Sequence, residues 1–240
     1  MKAKLLMSAL ILVMAAPVVE SQVLIGLLFG DKLNNDRMEF GFNVGLQLGT
    51  ISGIEGGRFA GNLGLGLFMD YKISDRWIFS PSLLFSSKKG VQDFGPDDQF
   101  YPLPDTLAGS YESKRVLRYF DLPLMVSYRF RNRLGIGVGL EVGYLNKARD
   151  YYSGDNENGT IYVTHDIKDS MSRFGFGVMT GLSFHFKGNP GAQIRVNYIH
   201  GLTNVYRKET NRKGYNRTVQ LGVMIPVKFG VSKKKDDQDQ

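Results

Sequence analysis

The stretch Glu39 to Gly49 reads Glu-Phe-Gly-Phe-Asn-Val-Gly-Leu-Gln-Leu-Gly and alternates apolar residues with polar residues or glycines. Successive side chains of a β-strand point to opposite faces, so this stretch predicts a ribbon with one apolar face and one polar or empty face. The same alternation returns seven more times along the chain. The repetition predicts an all-β fold of eight antiparallel strands.

The connections between the predicted strands alternate between short and long. The predicted strands cover residues 39–49, 61–72, 77–88, 116–130, 134–147, 173–186, 193–198 and 219–229. Minimal turns follow the second, fourth and sixth strands, whereas polar loops at 50–60, 89–112, 148–170 and 203–215 follow the others. Transmembrane barrels of the outer-membrane type show this asymmetry, with short periplasmic turns and long external loops.

Aromatic residues on the apolar faces gather at both ends of the strands. The set near the short turns is Phe40, Tyr71, Trp77, Tyr128, Phe130, Phe184, Phe186 and Phe229. The set near the long loops is Phe85, Phe120, Tyr144, Phe174 and Tyr198. Two aromatic belts around an aliphatic band are typical of a protein that crosses two membrane interfaces.

A soluble sandwich or lipocalin would show the same period with its apolar face inside. The strand glycines favour the membrane barrel, because glycine on an exposed soluble sheet weakens the strand, whereas in a narrow polar interior it makes room for long side chains. The predicted interior charges are Glu39, Asp70, Lys72, Asp121, Arg129, Glu141, Lys147, Arg173, Arg195 and Lys228. We interpret them as structural, with acidic and basic side chains that neutralise each other inside a filled barrel, since eight strands leave too little space for a general pore.

The N-terminus carries an export signal. Lys2 and Lys4 precede an apolar run from Leu5 to Ala16 that is too short to span a bilayer, and small or polar residues follow to Ser21. This pattern predicts a signal peptide over 1–21, with a retained anchor helix as the alternative. The remaining chain is predicted to comprise a periplasmic N-terminal segment over 22–37, an outer-membrane barrel over 38–230 and a charged tail over 231–240.

Composition excludes several kinds of chemistry. The chain has no cysteine, which removes disulfides, thiolate catalysis and thiolate metal sites. Its formal net charge of +7 is spread along the sequence and forms no cluster of the kind that binds nucleic acid. We therefore expect no nucleic-acid partner and no cofactor.

No catalytic, cofactor-binding or metal-binding residue is predicted. His165, His185 and His200 cannot be joined with a nucleophile and an acid from sequence. His185 lies at the short-turn end and His200 is predicted to face lipid, which leaves only His165, beside Asp166 in a predicted loop. The oxygen-rich run 155–159 lacks the ligand spacing of an EF-hand. The Gly-x-Gly repeats at 135–139 and 175–177 lie inside strands, where a phosphate loop cannot form.

Three prolines lie inside predicted strands. Pro81, Pro123 and Pro226 each remove a hydrogen-bond donor that lipid cannot replace. We expect β-bulges or strand ends near an interface at these positions.

The chain resembles the PorT-like outer-membrane β-barrel proteins of Bacteroidetes-type bacteria. The similarity rests on Leu27 to Asn34, on Glu39-Phe40-Gly41, and on the run from Tyr119 to Phe130. It covers nearly all of the chain from Gln22 to about Phe229. The resemblance implies an eight-stranded outer-membrane barrel. One family member is associated with type IX secretion, most have no assigned activity, and no functional residues carry over.

These observations predict a non-enzymatic outer-membrane protein that is envelope- or secretion-associated and contacts partners through long external loops. The tyrosines expected at those contacts are Tyr101, Tyr111, Tyr151, Tyr152, Tyr162, Tyr206 and Tyr215. Expected partners are outer-membrane lipid and lipopolysaccharide, the barrel-assembly machinery, and secretion-system or envelope proteins. The alternatives are a small barrel enzyme acting on lipid or peptide and a soluble ligand-binding barrel.

Overall fold

The computed structural model describes residues 37–104, 107, 111–156, 159–187 and 191–227. The predicted signal peptide, nearly all of the predicted periplasmic segment, and the charged tail lie outside these residues. The strands are β1 (Met38–Ser52), β2 (Arg58–Lys72), β3 (Trp77–Gln92), β4 (Glu112–Arg129), β5 (Leu134–Asn156), β6 (Gly159–Asp166), β7 (Phe174–His185), β8 (Gln193–Gly201) and β9 (Tyr215–Pro226). No helix in the described part of the chain is long and apolar enough to cross a membrane.

Eight of the strands close into a ring, as the alternation predicts. The antiparallel order runs β4-β3-β2-β1-β9-β8-β7-β5, and pairing between β4 and β5 closes it. The remaining strand, β6, pairs with the end of β5 from Arg149 to Asn156, beyond the part of β5 that pairs with β7. We call the end of the ring that carries β6 and the long connections the loop end, and the opposite end the turn end.

The ring is apolar outside, and most of its buried inner side chains in the membrane strands are polar or charged, with a small apolar cluster of Met125, Met179 and Ile199 among them. Val138 is 65% exposed on the outer wall, and Leu46, Leu65 and Val223 are also exposed there. Polar and charged residues on the inner face are buried; they include Asp70, Asp121, Glu141, Arg195, Asn197 and Gln220. The predicted assignment of faces is therefore confirmed at these positions, and a soluble barrel with an apolar interior is excluded.

Aromatic rows border the apolar wall. At the turn end, Trp77 packs edge-on against Tyr128 with ring centroids 5.2 Å apart. At the loop end, Tyr144 contacts Phe174 at 5.4 Å. On β4, Phe120 and Tyr128 are eight residues apart, which corresponds to roughly 26 Å along the strand and about 20 Å along the barrel axis at a tilt of ~40°. That height suits the apolar band of an outer-membrane barrel.

Two β-bulges reverse the faces of the strands towards the loop end. The pairing of β3 with β4 shifts between Leu84 and Ser87, and that of β5 with β4 shifts beyond Leu145. As a result, Lys89 is buried inside the barrel, while Lys147 is exposed outside. The predicted interior positions of Lys147 and Arg173 are therefore wrong, since both are exposed; Lys228 lies outside the described residues.

Two predicted loops are largely strand. Residues 148–156 continue β5, and residues 159–166 form its hairpin partner β6. The predicted loop at 50–60 shrinks to 53–57, because β1 and β2 continue into it. Beyond the membrane a sheet no longer needs an apolar outer face, so the alternation that marks the membrane strands fades where pairing continues.

The prolines behave differently from one another. Pro226 ends β9, as predicted. Pro81 and Pro123 lie inside β3 and β4, opposite Leu124 and Glu141, and no register shift occurs at either. The expectation of a bulge at these two positions is wrong. At Pro81 the ladder with β2 lacks rungs between the pairs Phe68–Ser82 and Tyr71–Phe79, so the missing donor leaves a local gap without a change of register.

Candidate functional site at the loop end

The loop end is closed by a folded cap. We define the cap as residues 93–104, 107, 111, 148–156, 159–173 and 202–214. Its apolar residues join inward-facing residues of the strands in one buried cluster. The cluster comprises Ile51, Ile54, Val91, Phe94, Leu107, Leu117, Tyr119, Leu145, Ala148, Tyr152, Ile167, Met171, Val205 and Tyr206. The long connections therefore pack over the mouth of the barrel like the core of a soluble domain.

Arg115 lies at the centre of the cap and is fully buried. Its Nε and Nη2 each donate to the carboxylate of Asp150 at 2.7 Å. Nη1 donates to the hydroxyl of Tyr206 at 2.9 Å, and Nη2 also donates to the carbonyl of Asp98 at 2.8 Å. The guanidinium stacks over Phe94 at 4.7 Å. The bidentate pair joins β4 to β5. The other two hydrogen bonds of Arg115 hold the segments 93–104 and 202–214 against these strands.

Arg212 fastens one loop to the other. Its guanidinium donates to the backbone carbonyls of Asp97, Asp98 and Gln99 at 3.1, 2.7 and 2.8 Å. It also lies over the ring of Phe100, 4.5 Å from the centroid. The segment 202–214 thereby holds the segment 93–104 in place through one side chain.

The segment 202–214 is joined to the end of the β6 region as well. Met171 and Tyr206 form an isolated antiparallel bridge. The amide of Ser172 donates to the carbonyl of Val205 at 2.9 Å, and the amide of Arg207 donates to that of Ser170 at 3.0 Å. Each long connection of the cap is therefore bonded to another.

Burial within the cap raises the pKa of Asp98, Tyr152 and Tyr206. For the Tyr206 hydroxyl, which accepts a hydrogen bond from Arg115 Nη1, burial is the largest cause of the raised pKa. Burial also raises the pKa of Asp98, although Arg115 and Arg212 act in the opposite direction. Asp98 and Tyr206 lie in loops, and Tyr152 lies on the part of β5 beyond the membrane.

Below the cap, the interior is filled by paired charges. The ammonium of Lys89 donates to Glu141 and lies 3.0 Å from Asp121 Oδ2 and 5.1 Å from the ring centroid of Tyr119. Nearer the turn end, Arg195 Nη2 donates to Asp70 at 2.5 Å. This mixed-sign packing agrees with the structural interpretation of the interior charges.

Glycines make room for these side chains. A Cβ at Gly143 would collide with Asp121 Oδ1, and one at Gly181 with Asn197 Oδ1. Between the two charged layers lies a cavity of about 20 Å³ whose polar lining is Asn43, Gln47, Asn197 and Gln220. That volume holds about one water molecule, so the cavity is far too small for a general solute.

The three histidines lie apart from any catalytic arrangement within the described residues. His165 is on β6, and its ring packs edge-on against Tyr101 and Tyr152 at 5.3 and 5.7 Å. His185 Nδ1 contacts the carbonyl of Arg133, and His200 Nδ1 contacts the Tyr198 hydroxyl, both at 3.3 Å. In the described part of the chain, no group of three or more His, Cys, Asp or Glu residues could hold a metal ion.

The tyrosines expected at contact surfaces differ in burial. Tyr152 and Tyr206, which we expected at contact surfaces, are instead 2% and 3% exposed in the cap core. Tyr101, Tyr151 and Tyr162 are exposed, the last to 78%. Tyr111 and Tyr215 are half-buried. The contact surface therefore stays a prediction for the exposed tyrosines, whereas Tyr152 and Tyr206 hold the cap together.

The sequence interpretation missed Arg115, Asp150, Lys89 and Arg212. Arg115 precedes the predicted start of its strand by one residue, yet it continues the inward series of Tyr119 and Asp121 at a spacing of two. Extending the alternation would have found it. Lys89 could not be found this way, because the bulge in β3 reverses the alternation before it.

The ring of eight strands, its apolar wall with two aromatic rows and its filled polar interior define a transmembrane β-barrel of the outer membrane. The chain belongs to the family described as "Outer membrane protein beta-barrel domain", which matches residues 29–207.

Three solved structures are similar to this chain at low sequence identity. Ail, the attachment invasion locus protein of Yersinia pestis, is 11% identical, with a TM-score of 0.42 over 80% of this chain and 99% of that one. Neisserial surface protein A is 14% identical, with a TM-score of 0.37 over 79% and 97%. OprG of Pseudomonas aeruginosa is 13% identical, with a TM-score of 0.32 over 79% and 91%. No curated protein matches the sequence.

Proposed function

We propose that this outer-membrane barrel is a non-enzymatic envelope protein whose cap presents a rigid contact surface to a protein partner outside the membrane. The observation that carries the proposal is the construction of the cap. Its loops are held by the buried Arg115–Asp150 pair and by Arg212, while selected tyrosines remain on its outer surface. A fixed surface loses little conformational entropy when a partner binds.

The contact surface is the outer face of the β5–β6 hairpin. Tyr151 lies opposite Thr164, and Tyr162 lies opposite Ser153, so the two exposed tyrosines are diagonal neighbours on one face. Tyrosine is enriched at protein interfaces because it adds a large apolar area and one polar group. The apolar membrane wall ends below this hairpin, so lipid does not cover it.

The partners that fit this location are secretion-system or envelope proteins. The resemblance to PorT-like barrels, in the run from Tyr119 to Phe130, favours a secretion-associated role over a purely structural one. The barrel-assembly machinery would act during insertion, and outer-membrane lipid with lipopolysaccharide would surround the wall. We also propose that residues 1–21 are an export signal that is removed after translocation.

The test is a comparison of two matched pairs of substitutions. Tyr151→Ser with Tyr162→Ser removes the rings, whereas Tyr151→Phe with Tyr162→Phe keeps them. Both pairs should preserve heat-modifiable migration, which reports an assembled barrel. We expect the serine pair to reproduce the phenotype of cells that lack the protein, and the phenylalanine pair to retain most of the function. Full function in the serine pair would overturn the contact surface.

A further inference from the structure

Three cations form a row across the outer wall at the loop end. Lys88 of β3 lies opposite Arg118 of β4, and Arg118 lies opposite Lys147 of β5. Residues directly opposite one another share a face of the sheet, with Cβ atoms about 4.5–5.5 Å apart. Three positive charges are therefore consecutive neighbours on adjacent strands. We call Lys88, Arg118 and Lys147 the cationic row.

The row faces outward because of the two bulges. Ser87 and Lys89 on either side of Lys88 are buried in the interior, as are Leu117 and Tyr119 on either side of Arg118. Lys147 is exposed. Without the bulges in β3 and β5, Lys88 and Lys147 would point into the barrel.

The cationic row has no counter-ion among the described residues. Each buried cation of the interior has a carboxylate partner: Lys89 has Asp121 and Glu141, Arg115 has Asp150, and Arg195 has Asp70. The side chains of the row have none in the described part of the chain, although like charges directly opposite destabilise a sheet. An anion supplied from outside would remove this repulsion.

One acidic residue lies on the same outer face nearby. Asp166 of β6 is opposite Arg149, which is two residues beyond Lys147 towards the loop end. It therefore has a cation of its own as neighbour. The net charge of this part of the wall stays positive.

The depth of the row identifies the anion. Arg118 is two residues beyond Phe120, which pairs with Tyr144 in the aromatic row of the loop end. Two residues correspond to roughly 7 Å along the strand. Aromatic rings of this kind lie at the level of the headgroups, so the cationic row reaches the phosphate groups just beyond the apolar layer.

We infer that the cationic row binds phosphate groups of lipid headgroups in the membrane leaflet at the loop end. Arg118 would bind a phosphate through two parallel N–H groups, and the flanking lysines would add positive charge on either side. This inference rests on the lipid-contact part of the proposed function and adds a site to it. It is separate from the tyrosine surface, which lies on the cap.

The experiment uses the full chain, refolded in neutral detergent micelles, and measures the temperature at which the compact band is lost in heat-modifiability gels. The probes are bisphosphorylated lipid A, the same lipid A after removal of its phosphates, and inorganic phosphate. We expect only the phosphorylated lipid to raise this temperature, and the rise to weaken in high salt. The variant Lys88→Gln with Arg118→Gln and Lys147→Gln should need at least about tenfold more lipid for the same rise.

The matched control removes three exposed cations at the turn end, by Arg131→Gln with Arg133→Gln and Lys187→Gln. It should respond like the unaltered protein.

If the triple variant of the row does not refold, the test uses the single variant Arg118→Gln and the salt titration of the unaltered protein. Equal protection by both forms of lipid A, or an unchanged response in the row variant, would overturn the inference. If inorganic phosphate raised this temperature as much as phosphorylated lipid A does, the bound phosphate would not have to come from a lipid, and the inference of a lipid site would be wrong. None of these readouts depends on the cap tyrosines, so failure here is distinguishable from failure of the proposed contact surface.

Discussion

The membrane wall and the cap bury opposite kinds of residue, and the single strand β5 passes through both. Between Leu134 and Tyr144 its apolar residues point outward and its glycines inward. Beyond the bulge at Leu145, Ala148 and Tyr152 point inward into an apolar cluster. The solvent explains the difference: lipid surrounds the first part and water the second, so the hydrophobic effect acts in opposite directions along one strand.

The two regions also use buried charge differently. In the barrel, the pairs around Lys89 and Arg195 lie in an interior that also holds uncharged polar side chains and a small apolar cluster of Met125, Met179 and Ile199. In the cap, the Arg115–Asp150 pair lies inside an apolar cluster, where the loss of water makes an unpaired charge costly. The cap should therefore be the region that is most sensitive to the loss of one charged partner.

The largest effect should come from Arg115→Met. Removing the guanidinium leaves Asp150 buried without its partner, which costs about 3–5 kcal/mol. Because the cap lies beyond the membrane, we expect protease to cut within 93–111 or 202–214 while the barrel keeps its heat-modifiable migration. The double variant Arg115→Met with Asp150→Leu should recover most of the resistance to protease. Loss of the assembled barrel in the single variant would mean that wall and cap fold as one unit.

The second effect concerns the wall. Val138→Arg places a charge on the lipid-facing surface near mid-membrane and should cost about 2–4 kcal/mol. The matched substitution on the cap, Thr164→Arg, faces water and should change stability by less than about 0.5 kcal/mol. Urea titration of folding into lipid vesicles measures both. Equal stability of the two variants would mean that the wall of β5 does not face lipid.

The smallest of the three effects should come from Arg212→Ala. It removes three charge-assisted hydrogen bonds to the 93–104 segment, but the guanidinium is only partly buried, so we expect a cost of about 1–2 kcal/mol. Hydrogen exchange should rise at the amides of 94–104 and stay unchanged in β7 and β8. A uniform rise over the whole chain would contradict a separate cap.

Much of the wall could be predicted from the sequence, because lipid imposes a strict alternation. Leu46, Leu65 and Val138 follow it without exception, and so do the interior positions of Asp70, Asp121 and Glu141. The cap could not be predicted in the same way. Water permits both polar and apolar residues on the outer face of its strands, so residues 148–170 lack the strict alternation of the wall and their composition indicates a loop.

The sequence by itself determined the class of protein, since period-two alternation, interleaved glycines and aromatic residues at both strand ends together indicate a barrel in lipid. Only the tertiary structure decided which of two consecutive lysines enters that barrel. A bulge inserts one residue and exchanges the faces of everything beyond it, so Lys89 pairs with Asp121 and Glu141 inside while Lys88 joins Arg118 and Lys147 outside. The position of such a bulge depends on the partner strands, and no local pattern in this chain marks it.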